Sequence, residues 1–294
     1  MKLITKQLPY DFNLFNFGDE HDGAMLSSEK GWEQLVNMML SPYDGCKRNY
    51  GVDGGDMVEA IMVDDPRFSM EELKKRVTEG KITSAITPLE QRRIAIKKRE
   101  PIKHLLLAIL QGNHERKLWR FGNLAEDIAK ELGVEYGTYT AKISITDKHD
   151  NLMFKVFETH GSRTINSTAD DPVRKEANER LMLKRKLKFK AGDCAVMIKH
   201  HAHKLIVVPP KQELYLVDDG KKILQKYTGW GQNEEWIHPD ARWYGCAGAF
   251  LRLYGQGVSG YGEVAEYDPT ELGWLVTRVR NRKIVAVDKV YLKV

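Results

Sequence analysis

The stretch Leu105-Leu106-Leu107-Ala108-Ile109-Leu110-Gln111-Gly112-Asn113-His114-Glu115 decides the fold class. From His104 to Leu110 the chain is almost purely aliphatic, as expected of a central strand buried on both faces. It then delivers a cluster of polar residues of metal-binding type. Pro101, just upstream, cannot continue a helix and separates this strand from the helical pattern before it. Open α/β sheets build their sites at such strand ends.

Working outward, the same arrangement recurs. Phe12 to Phe17 alternates aromatic and aliphatic residues with Asn and reads as a strand running into Gly18-Asp19-Glu20-His21-Asp22-Gly23. Leu152 to Phe157 leads to Glu158-Thr159-His160-Gly161, and Cys194 to Ile198 leads to Lys199-His200-His201-Ala202-His203. Gly55-Asp56 is a further polar pair between these segments. Helical patterns alternate with the strands. Trp32 to Leu40 ends at the turn Ser41-Pro42-Tyr43-Asp44-Gly45. Thr87-Pro88-Leu89-Glu90 carries an N-cap, a proline at the first helical position and a capping-box Glu. Asn123 with Glu126 starts a helix that Gly133 stops, and a basic helix follows Pro172. From Leu205 onward hairpins dominate, with turns at Asp218-Asp219-Gly220 and Arg280-Asn281-Arg282. The class is mixed α/β, without internal repeats or a low-complexity linker.

Composition narrows the function classes. The chain has 294 residues, 42% of them hydrophobic, enough for a large core and incompatible with a disordered chain. Forty-six Lys and Arg against 41 Asp and Glu leave a net charge of +5, which permits nucleic acid as a partner without demanding it. No apolar run approaches the roughly 18 to 20 residues that span a bilayer. Met1-Lys2-Leu3-Ile4-Thr5-Lys6 leads into mixed polar sequence rather than a signal segment. The expectation is a soluble, cytoplasmic protein with no membrane partner. Cys46, Cys194 and Cys246 are far apart and odd in number, which fits neither a disulfide framework nor a thiolate zinc site. A metal would have to use His, Asp and Asn.

Taken singly, each polar residue is an ordinary loop group: Asp19 and Asp56 as helix caps, Asn113 in an Asn turn, His160-Gly161 as a plain turn. The ordered set is different. Asp19-x-His21, Gly55-Asp56, Gly112-Asn113-His114-Glu115, His160-Gly161 and His201-x-His203 resemble, in order and spacing, the motifs of the calcineurin-like metallophosphoesterases. The resemblance spans Asp19 to His203, about two-thirds of the chain, and five of the nine histidines fall on it. It implies a two-sheet β-sandwich core flanked by helices (four-layer αββα). It further implies one domain over residues 1–294, with a helical insertion at about 65–100 and a strand-rich part at about 205–294.

The resemblance also implies a two-metal centre. Asp19, His21 and His203 would hold one divalent ion, Asn113, His160 and His201 the other, and Asp56 would bridge them. Imidazole and carboxylate suit manganese, the favoured ion, or iron, zinc, nickel or magnesium. A hydroxide shared by the ions would attack phosphorus in line. His114 resembles the family's catalytic histidine, acting on the leaving oxygen, with Glu115 orienting it. Glu20, Asp22 and Glu59 read as groups that orient histidine rings rather than as ligands. One departure stands out: His200 occupies the place of the family's usual glycine, which leaves open a register in which His200 is itself a ligand.

The substrate is less well specified. Arg116 and Arg163 lie close after ligand motifs and would clamp a phosphate. The basic segment 174–190 would track a polyanion such as DNA or RNA, or form a solvated face. Trp230, Trp236, Trp243, Tyr244, Tyr254 and Tyr261 would stack bases or pack the terminal sheet. Tyr244-Gly245-Cys246-Ala247-Gly248 to Arg252, then Gly262-Glu263 and the hairpin at Gly273-Trp274-Leu275-Val276, is loosely similar to the end of the superfamily's DNA-repair nucleases. The expected activity is therefore hydrolysis of a phosphate ester, by a phosphodiesterase acting on nucleic acid or nucleotides. The alternatives are a phosphomonoesterase or phosphoprotein phosphatase, and a non-catalytic binding module on the same scaffold. The oligomeric state is left open.

Overall fold

The computed structural model describes residues 1–24, 26–62, 65, 87–229, 231–257 and 261–293. In chain order its strands are β1 (Lys2–Gln7), β2 (Phe12–Phe17), β3 (Asn49–Asp53), β4 (Leu106–Ile109), β5 (Thr140–Thr146), β6 (Leu152–Thr159), β7 (Val196–Lys199), β8 (Ile206–Val208), β9 (Leu214–Asp218), β10 (Ile223–Tyr227), β11 (Trp243–Cys246), β12 (Gly273–Arg280) and β13 (Lys283–Tyr291). They form a mixed α/β fold. One sheet has the order β13-β12-β2-β3-β4, a second has the order β1-β5-β6-β7-β11-β8, and β9 and β10 pair apart from both. In the first sheet β2, β3 and β4 are parallel; in the second β6, β7 and β11 are parallel.

Strand alternation explains how the sheets pack. On β2, Phe12 and Leu14 join a core shared with Ile143 and Val156 of the second sheet, whereas Phe15 and Phe17 join a core with the helix Glu29–Leu40. On β12, Leu275 and Val279 face the shared core, whereas Trp274 and Val276 face the helical one. Phe157 of β6 and Met197 of β7 join a third core with Leu183 and Leu187 of the helix Pro172–Leu187. Buried Asn16 carries a polar tie across the two sheets, donating to Glu158 of β6.

Local signals act as expected at the helix ends. Thr87 accepts from the Glu90 amide at 3.2 Å to open the helix Pro88–Arg99. Asn123 accepts from the Glu126 amide at 3.3 Å, and left-handed Gly133 closes the helix Leu124–Leu132. Asn281 and Arg282 both have positive φ in the two-residue turn between β12 and β13, the geometry that matches strand twist. One boundary differs from the sequence expectation. The aliphatic strand begins at Leu106, because Glu100–Leu105 forms a 3₁₀ turn with Pro101 in its first turn. Most of the expected insertion at 65–100, together with Trp230 and the Tyr261 side chain, lies outside the described residues. The three cysteines are free and buried. Among the described residues, no helix is long and apolar enough to cross a membrane.

Leu275 is fully buried between the sheets, so Leu275→Ala is expected to lower stability by about 2–5 kcal/mol. Removing the cap with Asn123→Ala is expected to cost about 1 kcal/mol. Urea unfolding of both variants checks this ordering, and equal losses would contradict it.

Candidate metal centre

The parallel strands of both sheets release their chains at one end of the molecule, and the polar motifs meet there. The segment after β2 runs beside the segment after β3. The amides of Asp19, His21 and Asp22 donate to the carbonyls of Gly55, Asp56 and Met57 at 2.9, 2.9 and 3.0 Å. The backbone of these loops is unusual. Asp19, His21, Asp56, His201 and His203 all have φ between 49° and 70°, the left-handed region that is uncommon for non-glycine residues.

Asp56 sits at the middle. Its Oδ1 accepts from the His114 amide at 2.8 Å, while Oδ2 is buried without any hydrogen bond. That bare oxygen lies 3.2 Å from His160 Nε2, 3.9 Å from His21 Nε2 and 4.0 Å from His114 Nε2. Asn113 Oδ1 is 3.0 Å from the same His160 nitrogen, and His201 completes a cluster with Asp56 and His160. Asp19 is arranged alike. Its Oδ2 accepts from the His201 amide at 2.9 Å, and its bare, buried Oδ1 is 3.4 Å from His203 Nε2 and 3.9 Å from His21 Nε2. His21 Nε2 and His203 Nε2 face each other at 3.0 Å.

These observations fit divalent cations. Two desolvated carboxylate oxygens that face only imidazole nitrogens are costly unless positive charge meets them, whether a metal ion or the imidazoles themselves in protonated form. The imidazoles are set for the task by their other nitrogens. His160 Nδ1 donates to the Gly54 carbonyl at 2.8 Å, and His21 Nδ1 lies 2.6 Å from Glu59 Oε2, leaving both Nε2 atoms for a ligand. Burial alone would lower both imidazoles, but the Glu59 carboxylate beside His21 and that of Asp56 beside His160 push each up to about 9. The donor set is imidazole, carboxylate and amide oxygen, which does not by itself select one metal.

Around this centre the structure revises several roles. Glu115 does not face the His114 ring. Its carboxylate accepts from the amides of Gly112, Asp56 and Met57 at 2.7, 3.1 and 2.6 Å, tying the two loops together. Burial and the Asp56 charge push it up to about 7. His114 Nδ1 instead lies 2.8 Å from the Glu59 carbonyl and 3.5 Å from its carboxylate. Gly112 is required by close approach, since a Cβ there would overlap Asp56. His200 points inward, fully buried, with Nε2 3.2 Å from Glu158 and its ring against Gly54, so it takes no part in the cluster.

Sequence reasoning missed the basic support beneath the loops. Arg99, fully buried, donates to Asp53 Oδ2 at 2.7 Å and pairs with Glu20 at 2.9 Å, over the Trp32 ring. Lys98 pairs with Glu20, Asp22 and Glu29 at 2.5, 2.9 and 3.0 Å. Both end the helix Pro88–Arg99, whose charged pattern looks solvated in sequence, so only the fold exposes them. Arg116 and Arg163 are exposed. Arg116 lies over Trp119 and Tyr139, and Arg163 stands near enough to Lys186 to help lower it, after burial. In the 174–190 segment, Arg180 pairs with Glu176, Lys184 with Asp240 and Lys175 with Asp268.

No protein-family model matches the chain, and no curated protein matches it. Among solved structures, GAP50, the anchor in the inner membrane complex of Plasmodium, is similar at a TM-score of 0.37 and 9% identity, over 97% of this chain and 90% of that one. At that distance neither fold nor function is carried over.

Because Glu59 orients His21, Glu59→Gln is expected to weaken Mn²⁺ binding by about 10- to 100-fold while the melting temperature stays near wild type. Isothermal titration with Mn²⁺ checks this, and unchanged affinity would remove Glu59 from the site.

Proposed function

We propose that the chain is a calcineurin-like, binuclear metal-dependent phosphoesterase acting on phosphodiesters of nucleic acid or nucleotides. The observation that carries the reading is the bare, buried Asp56 Oδ2 between two histidine clusters. In this reading Asp19, His21 and His203 hold one cation, Asn113, His160 and His201 the other, and Asp56 both. When bound, the cations supply Lewis acidity toward the phosphate oxygens and activate water as a nucleophile near neutral pH.

The chain's own residues supply the rest. The Glu59 carbonyl can only accept, so His114 Nδ1 carries a hydrogen and Nε2 faces the centre. In the neutral ring that burial favours, Nε2 is an acceptor; it would take the proton released by the attacking water and pass it to the leaving oxygen as the ester bond breaks. Glu115 and Gly112 hold the Asp56 and His114 loops in register, and Arg99 holds the loops that carry Asp19, His21 and Asp56. Helices on the outer cores of the two sheets support the four-layer αββα arrangement of this family. Free, buried cysteines accord with action in the cytoplasm.

Hydrolysis of bis-p-nitrophenyl phosphate stimulated by Mn²⁺ is the expected result. Asp56→Asn and His114→Ala are each expected to lower kcat by about 10²- to 10⁴-fold. Absence of bound metal together with no hydrolysis of mono- or diesters would overturn the reading. Activity on phosphopeptides alone would replace the diester substrate with a phosphoprotein.

A further inference from the structure

Directly beyond the Asn113-His114 motif, the chain makes a short helix, Asn113–Lys117, and a 3₁₀ turn, Trp119–Phe121. Leu118 between them is buried in the helical core. The turn is rigidly tied: the amides of Leu118, Phe121 and Gly122 donate to the carbonyls of Glu115, Leu118 and Trp119 at 3.0, 2.8 and 3.0 Å. Yet Trp119 and Phe121 remain 52% and 53% exposed. Large aromatics held so open on a fixed backbone are poised for a flat, apolar partner.

Cations interleave with them. Arg116 lies 5.2 Å from the Trp119 ring and 5.7 Å from the Tyr139 ring, and Arg120 lies 4.9 Å from the Phe121 ring. Residues 116–121 contain three basic side chains and no acidic one. Tyr139 ties Arg116 and Trp119 to the centre, because its carbonyl accepts from the His160 amide at 3.0 Å. Trp119 lies six residues past Asn113, about 10 Å along a helical path.

We propose that Tyr139, Arg116, Trp119 and Phe121 form a platform for unpaired nucleobases, and that the substrate is single-stranded nucleic acid. The location of the scissile phosphate rests on the phosphodiesterase reading above. Base faces stack on Trp119 and Phe121, while Arg116 meets a backbone phosphate and stiffens the row by stacking. A duplex hides its base faces, so it gains the electrostatic contact alone. The charge of residues 116–121 is complementary to a polyanion, which distinguishes the platform from a plain apolar contact with another protein.

Fluorescence anisotropy with the full chain and a labelled, phosphorothioate-linked oligo-dT tests this without requiring turnover, so it can fail while bis-p-nitrophenyl phosphate hydrolysis stands, and the reverse. The expected result is tighter binding of the single strand than of a duplex of equal length. Trp119→Ala and Phe121→Ala should each weaken single-strand binding by about 5- to 150-fold. Trp119→Tyr should restore most of the affinity. Arg116→Ala should lower the salt slope by about 0.7. Both aromatic variants should melt with wild type, since their side chains are half exposed. Unchanged binding in both alanine variants would overturn the proposal, as would duplex binding of equal strength and equal sensitivity. So would light scattering that finds a self-associated wild type dissolved by Trp119→Ala with oligo-dT binding unaffected.

Discussion

Asp19, Glu20, Asp22, Asp53, Asp56, Glu59, Glu115 and Glu158 are all buried at the end of the molecule where the parallel strands finish. Withdrawing so many carboxyl groups from water costs several kcal/mol each unless opposite charge or donors meet them. Among the described residues, the fixed cations available there are few: Lys98, Arg99 and Lys199. Arg99 joins Asp53 to Glu20, Lys98 joins Glu20 to Asp22, and Lys199 donates to the carbonyls of His160 and His200 at 3.2 and 3.0 Å. Glu115 is met by backbone amides and Glu158 by Asn16 and His200. After these partners are assigned, one oxygen of Asp19 and one of Asp56 still lack a donor, and histidine nitrogens surround both. The arrangement of this end follows from that imbalance.

The same constraint shapes the backbone. Side chains can converge on one point from five loops only if several residues abandon the usual φ, and each such residue costs about 1–3 kcal/mol. The amide zipper between the segments after β2 and β3 offsets part of this, as does the Phe250 amide donating to Asp19 at 3.0 Å. Phe250 packs against Trp274 with rings 5.8 Å apart and nearly parallel, so a C-terminal strand stiffens an N-terminal ligand loop. The apolar core shared by the two sheets is what makes strained loops sustainable.

How much of this was legible in sequence depended on the range of the interaction involved. Phe12 to Phe17, the Asn123 cap and the Arg280-Asn281-Arg282 turn are local: a period of two, a capping residue and a tight turn act over a few positions. The polar residues at strand ends were legible too, because a strand's C-terminal edge is a position that sequence can mark. The pairing of Arg99 with Asp53, 46 residues away, has no local signature, and its helix looks solvated because charged residues dominate it. Sequence adjacency pairs Glu115 with His114, yet the folded loop turns it toward amides 57 to 59 residues away. His200 shows the same limit. Adjacent to His201 in sequence, it points the opposite way, and its ring fills the space that Gly54 leaves beside Glu158.

The net charge of +5 describes the chain and misdescribes this end. Among the described residues acidic groups outnumber fixed cations there, a balance that by itself repels a phosphate rather than attracting it. Basic residues lie elsewhere, and much of the helix Pro172–Leu187 is already committed: Arg180, Lys184 and Lys175 are paired with Glu176, Asp240 and Asp268. In the proposed reading, attraction for an anionic ester would come from cations bound within the centre and from basic groups bordering it. Arg116, held over Trp119 and Tyr139, borders it, and no acidic residue follows it as far as Phe121. The two sources act at different depths. Cations would compensate the buried carboxylates, and only their excess charge reaches the substrate, whereas an exposed guanidinium acts on the substrate directly and is weakened by salt.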